Sequence, residues 1–182
     1  MSLHLIHFMR SINAESLAVL QNAALSAVRS GATAIHIHIS SDGGANDHGF
    51  AAYHFLRSLP VPVTTHCIGN VESMAVIMYL AGTHRIIVPH GKIKIHPMHW
   101  GFANGTIDHD RLAEFVSSLD FDAVRYAAIF KERTQGSTKT VKVKSHLAGK
   151  ARILGAESAL DNGISTVIGE AKIPPEAVIW WV

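Results

Sequence analysis

The sequence predicts an α/β domain organised around a largely parallel, right-handed sheet, and three observations carry that expectation. Short apolar segments with strand character alternate with segments of helical periodicity. The links between them are short, which favours right-handed β–α–β crossovers. Residues 34–39 alternate strictly, with Ile35, Ile37 and Ile39 on one face and His36 and His38 on the other.

Residues 3–9 read as the first strand. Asn13 suits an N-cap, with Glu15 in the first turn of a helix whose apolar stripe is Leu17, Leu20, Ala24 and Val28. Gly31 ends it. The strand 34–39 runs into a tight loop, Ser40-Ser41-Asp42-Gly43-Gly44. A helix over 46–59 follows, and Pro60 and Pro62 lead into an apolar strand over 63–68. Next come a helix over roughly 71–81 and short strands at 85–88 and 92–95. The segment 100–105 is small, contains glycine and is expected to be extended. Residues 108–133 predict a long helix through Leu112, Phe115, Val116, Leu119, Val124, Ala127 and Ile129. Its length exceeds what a small domain buries, so one end projects or packs on a partner. A helix over 138–147 and another starting near Ala156 complete the order. The tail closes on Ile179, Trp180, Trp181 and Val182, an apolar end with the look of an exposed one. No repeats, linkers or low-complexity stretches interrupt the chain.

Composition narrows the class. At 182 residues, 48% hydrophobic and 16% charged, the chain suits one folded domain over 1–182 with a substantial core. A net charge of +2 is too small to argue for nucleic acid. The longest apolar run, 74–81, is far too short to span a bilayer, and no basic-then-apolar N-terminal leader is visible. The single cysteine, Cys67, excludes an internal disulfide and fits a reducing compartment, with the cytoplasm as the expectation. From Arg133 through Ala156 there is no acid, while Arg133, Lys139, Lys142, Lys144, Lys150 and Arg152 are basic. This run reads as a solvated face, with an anionic partner surface as the alternative.

Several motifs bear on chemistry. Gly43-Gly44 follows a strand and precedes a helix, but lacks the GxGxxG pattern and trailing acid of a dinucleotide loop. Without side chains, it does let a substrate carbonyl approach backbone N–H donors. The thirteen histidines show no HExxH or Cys-His spacing, so no metal or other cofactor is expected, although His36 and His38 share a strand face. Gly69-Asn70-Val71-Glu72-Ser73-Met74 places a serine between an apolar strand and a helix. Twenty-three residues after that serine, Ile95-His96-Pro97-Met98 places a histidine at the close of a short strand. Strand ends are where active sites on open α/β sheets are built. A lone serine and a lone histidine also arise there by chance.

The order of these parts is more specific. SSDGG, GNVESM, IHPM, the Gly-containing segment and the long helix ending Glu132-Arg133-Thr134-Gln135-Gly136 together resemble the ClpP peptidase family. The family's SPGG, GxxxSM and IHxP motifs fall on Ser41 to Gly44, Gly69 to Met74, and Ile95 to Pro97. Arg152-Ile153-Leu154-Gly155-Ala156-Glu157-Ser158-Ala159 through Asn162-Gly163-Ile164 resembles its RFLSAPEA…GLVD stretch. The likeness covers about residues 3–168. It implies the ClpP/crotonase spiral of ββα units, with a protruding handle over about 99–135 where two rings meet. It also implies a Ser73 nucleophile, a His96 base, oxyanion donors at Gly43 and Met74, and a peptide held as an added strand along Trp100, Gly101, Phe102 and Ala103. The expected substrate is a peptide or unfolded protein, and the expected assembly a homo-oligomeric ring, single or stacked.

Three departures follow from the same comparison. The position of the family's catalytic acid is Ala151, and no carboxylate lies between Glu132 and Glu157. The segment that precedes the first strand in the family is missing, which counts against docking of an ATPase unfoldase. Asp42 and Glu72 replace a proline and a small residue; Glu72 adds negative charge where an oxyanion must form, or serves the helix dipole from its first turn. Two further functions stay open. One is a non-catalytic ring subunit, favoured by Ala151. The other is an acyl-CoA enzyme of the crotonase branch, with the basic run facing the CoA phosphate.

Overall fold

The computed structural model describes residues 2–101 and 106–182. Its elements are β1 (Leu3–Phe8), α1 (Ala14–Arg29), β2 (Ala34–Ser41), α2 (Asn46–Ser58), β3 (Val63–Glu72), α3 (Met74–Leu80), β4 (His84–Ile87) and β5 (Lys92–Ile95). They continue as α4 (His109–Arg133), α5 (Val143–Leu147), β6 (Arg152–Leu154), α6 (Ala156–Asp161), β7 (Val167–Ile168) and β8 (Val178–Trp181). The sheet runs β6-β5-β3-β2-β1-β8, and β4 branches from β3 to pair with β7. Every pairing is parallel except β5 with β6.

β3 is the pivot. Its first half, Thr64 to Cys67, pairs with β4, whereas its last residues, Asn70 to Glu72, pair with β5. On its other edge the register with β2 shifts between Ile39 and Ser41, a bulge that bends the strand toward the glycine loop. Gly69-Asn70 reads locally as a strand stop. Pairing on both edges carries the strand on to Glu72, so α3 starts at Met74 rather than near residue 71.

The core forms on the isoleucine face of β2, where Ile35, Ile37 and Ile39 meet Ile6, Phe8, Leu20 and the wholly buried α3. Asn13 caps α1 as expected: its side chain accepts from the Ser16 amide at 2.8 Å, and the Ser16 hydroxyl accepts from the Asn13 amide at 2.9 Å. Gly31 then takes φ 84°. Buried Arg85 donates to the carbonyls of Gly82, Arg133, Gly163 and Ile164, which ties the end of α4 to the segment after α6.

Toward the C-terminal end one expectation changes and another gains detail. The helix expected over 138–147 shrinks to α5, because the Lys139 amide and the Thr138 hydroxyl both donate to the Asp161 carbonyl and hold the chain off a helical path. The apolar tail is exposed as expected at Val178, Ile179 and Trp181, and it pairs as β8, an edge strand parallel to β1, with Trp180 donating to the His4 ring. α4 follows its expected bounds, capped by Asp108. Its buried residues begin only at Asp122, so the first half stands away from the core with Leu112 and Val116 exposed.

Candidate active site

β3 ends at Glu72 and α3 begins at Met74, so one residue makes the whole turn between them. That residue, Ser73, takes φ 54°, ψ −126°, and is the only non-glycine with positive φ among the described residues. Such a conformation costs a side-chain-bearing residue about 1–3 kcal/mol and persists only where its surroundings enforce it. Here they do. The Ser73 amide donates to the Lys94 carbonyl at 2.9 Å, and the Ser73 carbonyl accepts from the Val76 amide at 3.0 Å and the Tyr126 hydroxyl at 3.3 Å. A sharp strand-to-helix turn of this kind lifts a serine side chain clear of the sheet, as in nucleophile elbows.

The glycine loop lies directly against that turn. A Cβ on Gly43, which has φ 92°, would come within 2.6 Å of the Ser73 Cβ and 3.0 Å of the Met74 nitrogen. Gly44 is pressed as closely on Ile12, whose amide donates to the Gly43 carbonyl at 2.7 Å. The amides of Gly43 and Met74 therefore belong to one small region beside Ser73. The Gly43 amide is engaged, donating to the Ser41 hydroxyl at 3.2 Å, so it must change partner to serve an oxyanion.

His96 follows β5, whose register sets Lys94 opposite Glu72. Its Nδ1 lies 2.9 Å from the Pro97 carbonyl. A carbonyl oxygen only accepts, so Nδ1 carries the proton; in the neutral ring this leaves the lone pair on Nε2, the tautomer a general base needs. Among the described residues no hydrogen bond joins Ser73 to His96. The register thus brings the two chain segments together but leaves the two side chains short of the contact a dyad makes in action.

The antiparallel pairing of β5 with β6 ends at Ile95 opposite Arg152. Ala151 immediately precedes β6, one residue before Arg152 of that last pair, and its methyl group offers no acceptor. Glu72 is buried, and its carboxylate meets Lys92 Nζ at 2.6 Å and Lys94 Nζ at 3.1 Å. Burial alone would raise its pKa; hydrogen bonds and charge from the two lysines outweigh that and hold it below the ordinary value. Its charge is thereby taken up by β5. Cys67, pushed up to about 11 by burial, is no rival nucleophile.

Trp100 and Gly101 are exposed, with Trp100 stacked on Phe115 of α4 at 4.4 Å; Phe102 and Ala103 lie outside the described residues. A cavity of about 850 Å³ lies between the end of α4 and residues 134–145, and neither Ser73 nor His96 lines it. The basic run is partly structural: Arg133 donates to the Leu80 and Gly82 carbonyls, and Lys139 pairs with Asp161. Two supports escape a reading of the sequence. Tyr126 arrives from a distant helix and left no local signal. The alternation Lys92-Ile93-Lys94 does place both lysines on one strand face, which was enough to seek a buried acid opposite.

Comparison with known proteins gives the family and the fold. Residues 4–172 match the Clp protease family. The proteolytic subunit 1 of the ATP-dependent Clp protease from Leifsonia xyli subsp. xyli is 30% identical over 141 residues, 76% of this chain and 68% of that protein. The proteolytic subunit 2 from Chlamydia trachomatis serovar D is 32% identical over 141 residues, 76% of this chain and 66% of that protein. The match thus spans about two thirds of these curated relatives. A solved mutant of ClpP1 from Listeria monocytogenes has the same fold, with a TM-score of 0.76, 20% identity, and coverage of 93% of this chain and 92% of that one.

Proposed function

The chain belongs to the Clp protease family, and from that premise we propose that it is a serine peptidase of reduced potency, working through Ser73 and His96. The observation that carries the reading is the strained Ser73 turn pressed against Gly43. Ser73 Oγ attacks the peptide carbonyl while His96 Nε2 takes its proton, and the developing oxyanion is met by the amides of Met74 and Gly43, the latter released from Ser41. His96 then returns the proton to the departing amine. Water, activated by the same imidazole, hydrolyses the acyl-enzyme. The Pro97 carbonyl holds the Nδ1 proton where a carboxylate is otherwise expected. It fixes the tautomer but supplies no full negative charge to stabilise the imidazolium, hence the reduced potency.

The substrate is a peptide or unfolded protein, laid as an added strand along Trp100, Gly101 and the two residues that follow. The chain works as a homo-oligomeric ring, with the exposed first half of α4 available for contact between rings. No helix among the described residues is long and apolar enough to cross a membrane, and buried free Cys67 suits a reducing compartment such as the cytoplasm.

Labelling with a fluorophosphonate probe tests the chemistry: wild type is expected to label at Ser73 and a Ser73→Ala variant not to. Equal labelling of both defeats the assignment. A second reading has one observation in its favour, the absence of any acid from Arg133 through Ala156, with Ala151 where the family's acid is expected: a non-catalytic subunit that assembles with an active paralogue. Native mass spectrometry separates the two, since a hydrolytically active ring of this chain alone excludes the second.

A further inference from the structure

Away from Ser73, the other face of the sheet carries an uninterrupted group of imidazoles. His7, His38 and His66 are direct neighbours across β1, β2 and β3, and His36 lies two residues before His38 on the same face. The rings of His36, His38 and His66 form a nearly equilateral triangle, with centroids 5.2, 5.3 and 5.5 Å apart. One ring nitrogen from each lies within 4.8 Å of the others. Three imidazoles on a tetrahedral ion at 2.0–2.1 Å place their centroids roughly 5 Å apart, so the observed triangle needs only small side-chain adjustments.

The hydrogen bonding points the same way. Buried Nε2 of His36, Nε2 of His38 and Nδ1 of His66 have no partner among the described residues, although His38 is 2% and His66 1% exposed. Leaving three polar atoms of one cluster unsatisfied in a protein interior is costly, and native structures avoid it. His66 donates its other nitrogen, Nε2, to the Gly169 carbonyl at 3.1 Å. A backbone carbonyl holding the far side of a histidine is the usual outer support of a metal ligand, and it leaves the Nδ1 lone pair facing inward.

We propose that His36, His38 and His66 bind a divalent transition-metal ion, zinc above all, which joins β2 to β3. Burial holds His36 near 4 and His38 near 3, so both are neutral ligands at neutral pH. Half-buried His36 marks the side from which an ion enters, and water completes the coordination. Sequence spacing alone does not reveal the site, because His66 joins the pair only through the pairing of β2 with β3.

The full chain, stripped with a chelator, is titrated with Zn²⁺ by calorimetry and with Co²⁺ by visible absorption. The site predicts one equivalent bound per chain and the intense visible bands of four-coordinate cobalt. His36→Gln and His66→Gln are expected to weaken binding at least tenfold, while exposed His109→Gln leaves it unchanged. Circular dichroism of the metal-free variants shows that each is folded, and half-buried His36 decides the matter should the His66 variant not fold. No saturable binding by wild type, a six-coordinate cobalt spectrum, or undiminished affinity in His36→Gln overturns the proposal.

Discussion

The Ser73 amide reaches across to the Lys94 carbonyl at 2.9 Å, so the turn that presents the serine is bonded to the strand that delivers His96 two residues later. Serine and histidine are placed by the register of β3 with β5 rather than by the local conformation of either loop. What the register cannot supply is relief from the positive φ of Ser73, and that strain has a measurable consequence.

Glycine enters the φ 54° region freely, whereas alanine does not. Ser73→Ala and Ser73→Gly should both lose probe labelling, yet differ in stability. The glycine variant is expected to be the more stable of the two by about 1 kcal/mol, after its greater unfolded-state entropy is subtracted. In thermal melts that is a Tm difference of roughly 2–4 °C for a chain of this size. Equal melting temperatures would mean that Ser73 is not strained in solution.

Gly43 is a second place where the backbone tolerates no side chain. Gly43→Ala adds a Cβ within 2.6 Å of the Ser73 Cβ at φ 92°, a clash with the nucleophile turn itself. A loss of about 2 kcal/mol or more is expected, together with a sharp fall in probe labelling. Gly136→Ala is the control: φ is similar at 81°, but nothing lies within 4 Å, so only the conformational cost of about 1 kcal/mol applies.

Much of this arrangement was legible in the sequence because its signals are local. The strict alternation of 34–39, the cap at Asn13 and the length of α4 each follow from neighbours along the chain. What escaped depends on pairing between distant segments. Gly69-Asn70 reads as a break until β2 and β5 are seen to hold both edges of β3. The tail reads as an exposed apolar end, which it is, but its pairing as a strand shows only once β1 is seen to lack another neighbour on that side. Likewise, Glu72 reads as a hazard to catalysis until Lys92 and Lys94 are brought against it.

Glu72 also makes stability depend on pH. Its folded pKa lies below the ordinary value of 4.5, because hydrogen bonds and charge from Lys92 and Lys94 outweigh the burial that would raise it. The fold therefore favours the charged form. The contribution is complete above the unfolded value and is lost as pH falls from about 4.5 through the lower folded one. Urea denaturation of wild type and Glu72→Gln should show wild type ahead by about 1–2 kcal/mol at pH 7, a partly buried pair lying between exposed and fully buried cases. The gap should narrow below pH 4.5; a gap constant down to pH 3 would remove the ion pairs from the account.

Position 151, where the family's acid is expected, offers the most direct test of what limits the chemistry. Ala151 adjoins Arg152, which pairs with Ile95 one residue before His96, so the two positions flank the end of the same strand pair. In Ala151→Asp the new acid competes with the Pro97 carbonyl for the Nδ1 proton. It adds the negative charge that stabilises an imidazolium once His96 has taken the serine proton. Loss of the corresponding acid in trypsin lowers turnover about ten-thousandfold, which bounds the gain from above. Since Pro97 already fixes the tautomer, a smaller gain is expected, tenfold or more in labelling rate and in kcat/KM, or about 1.4 kcal/mol of transition-state stabilisation. An active wild type with no gain in the variant would mean that the carbonyl alone suffices. An inert wild type rescued by the aspartate would mark a peptidase that has lost one residue and kept the rest of its site.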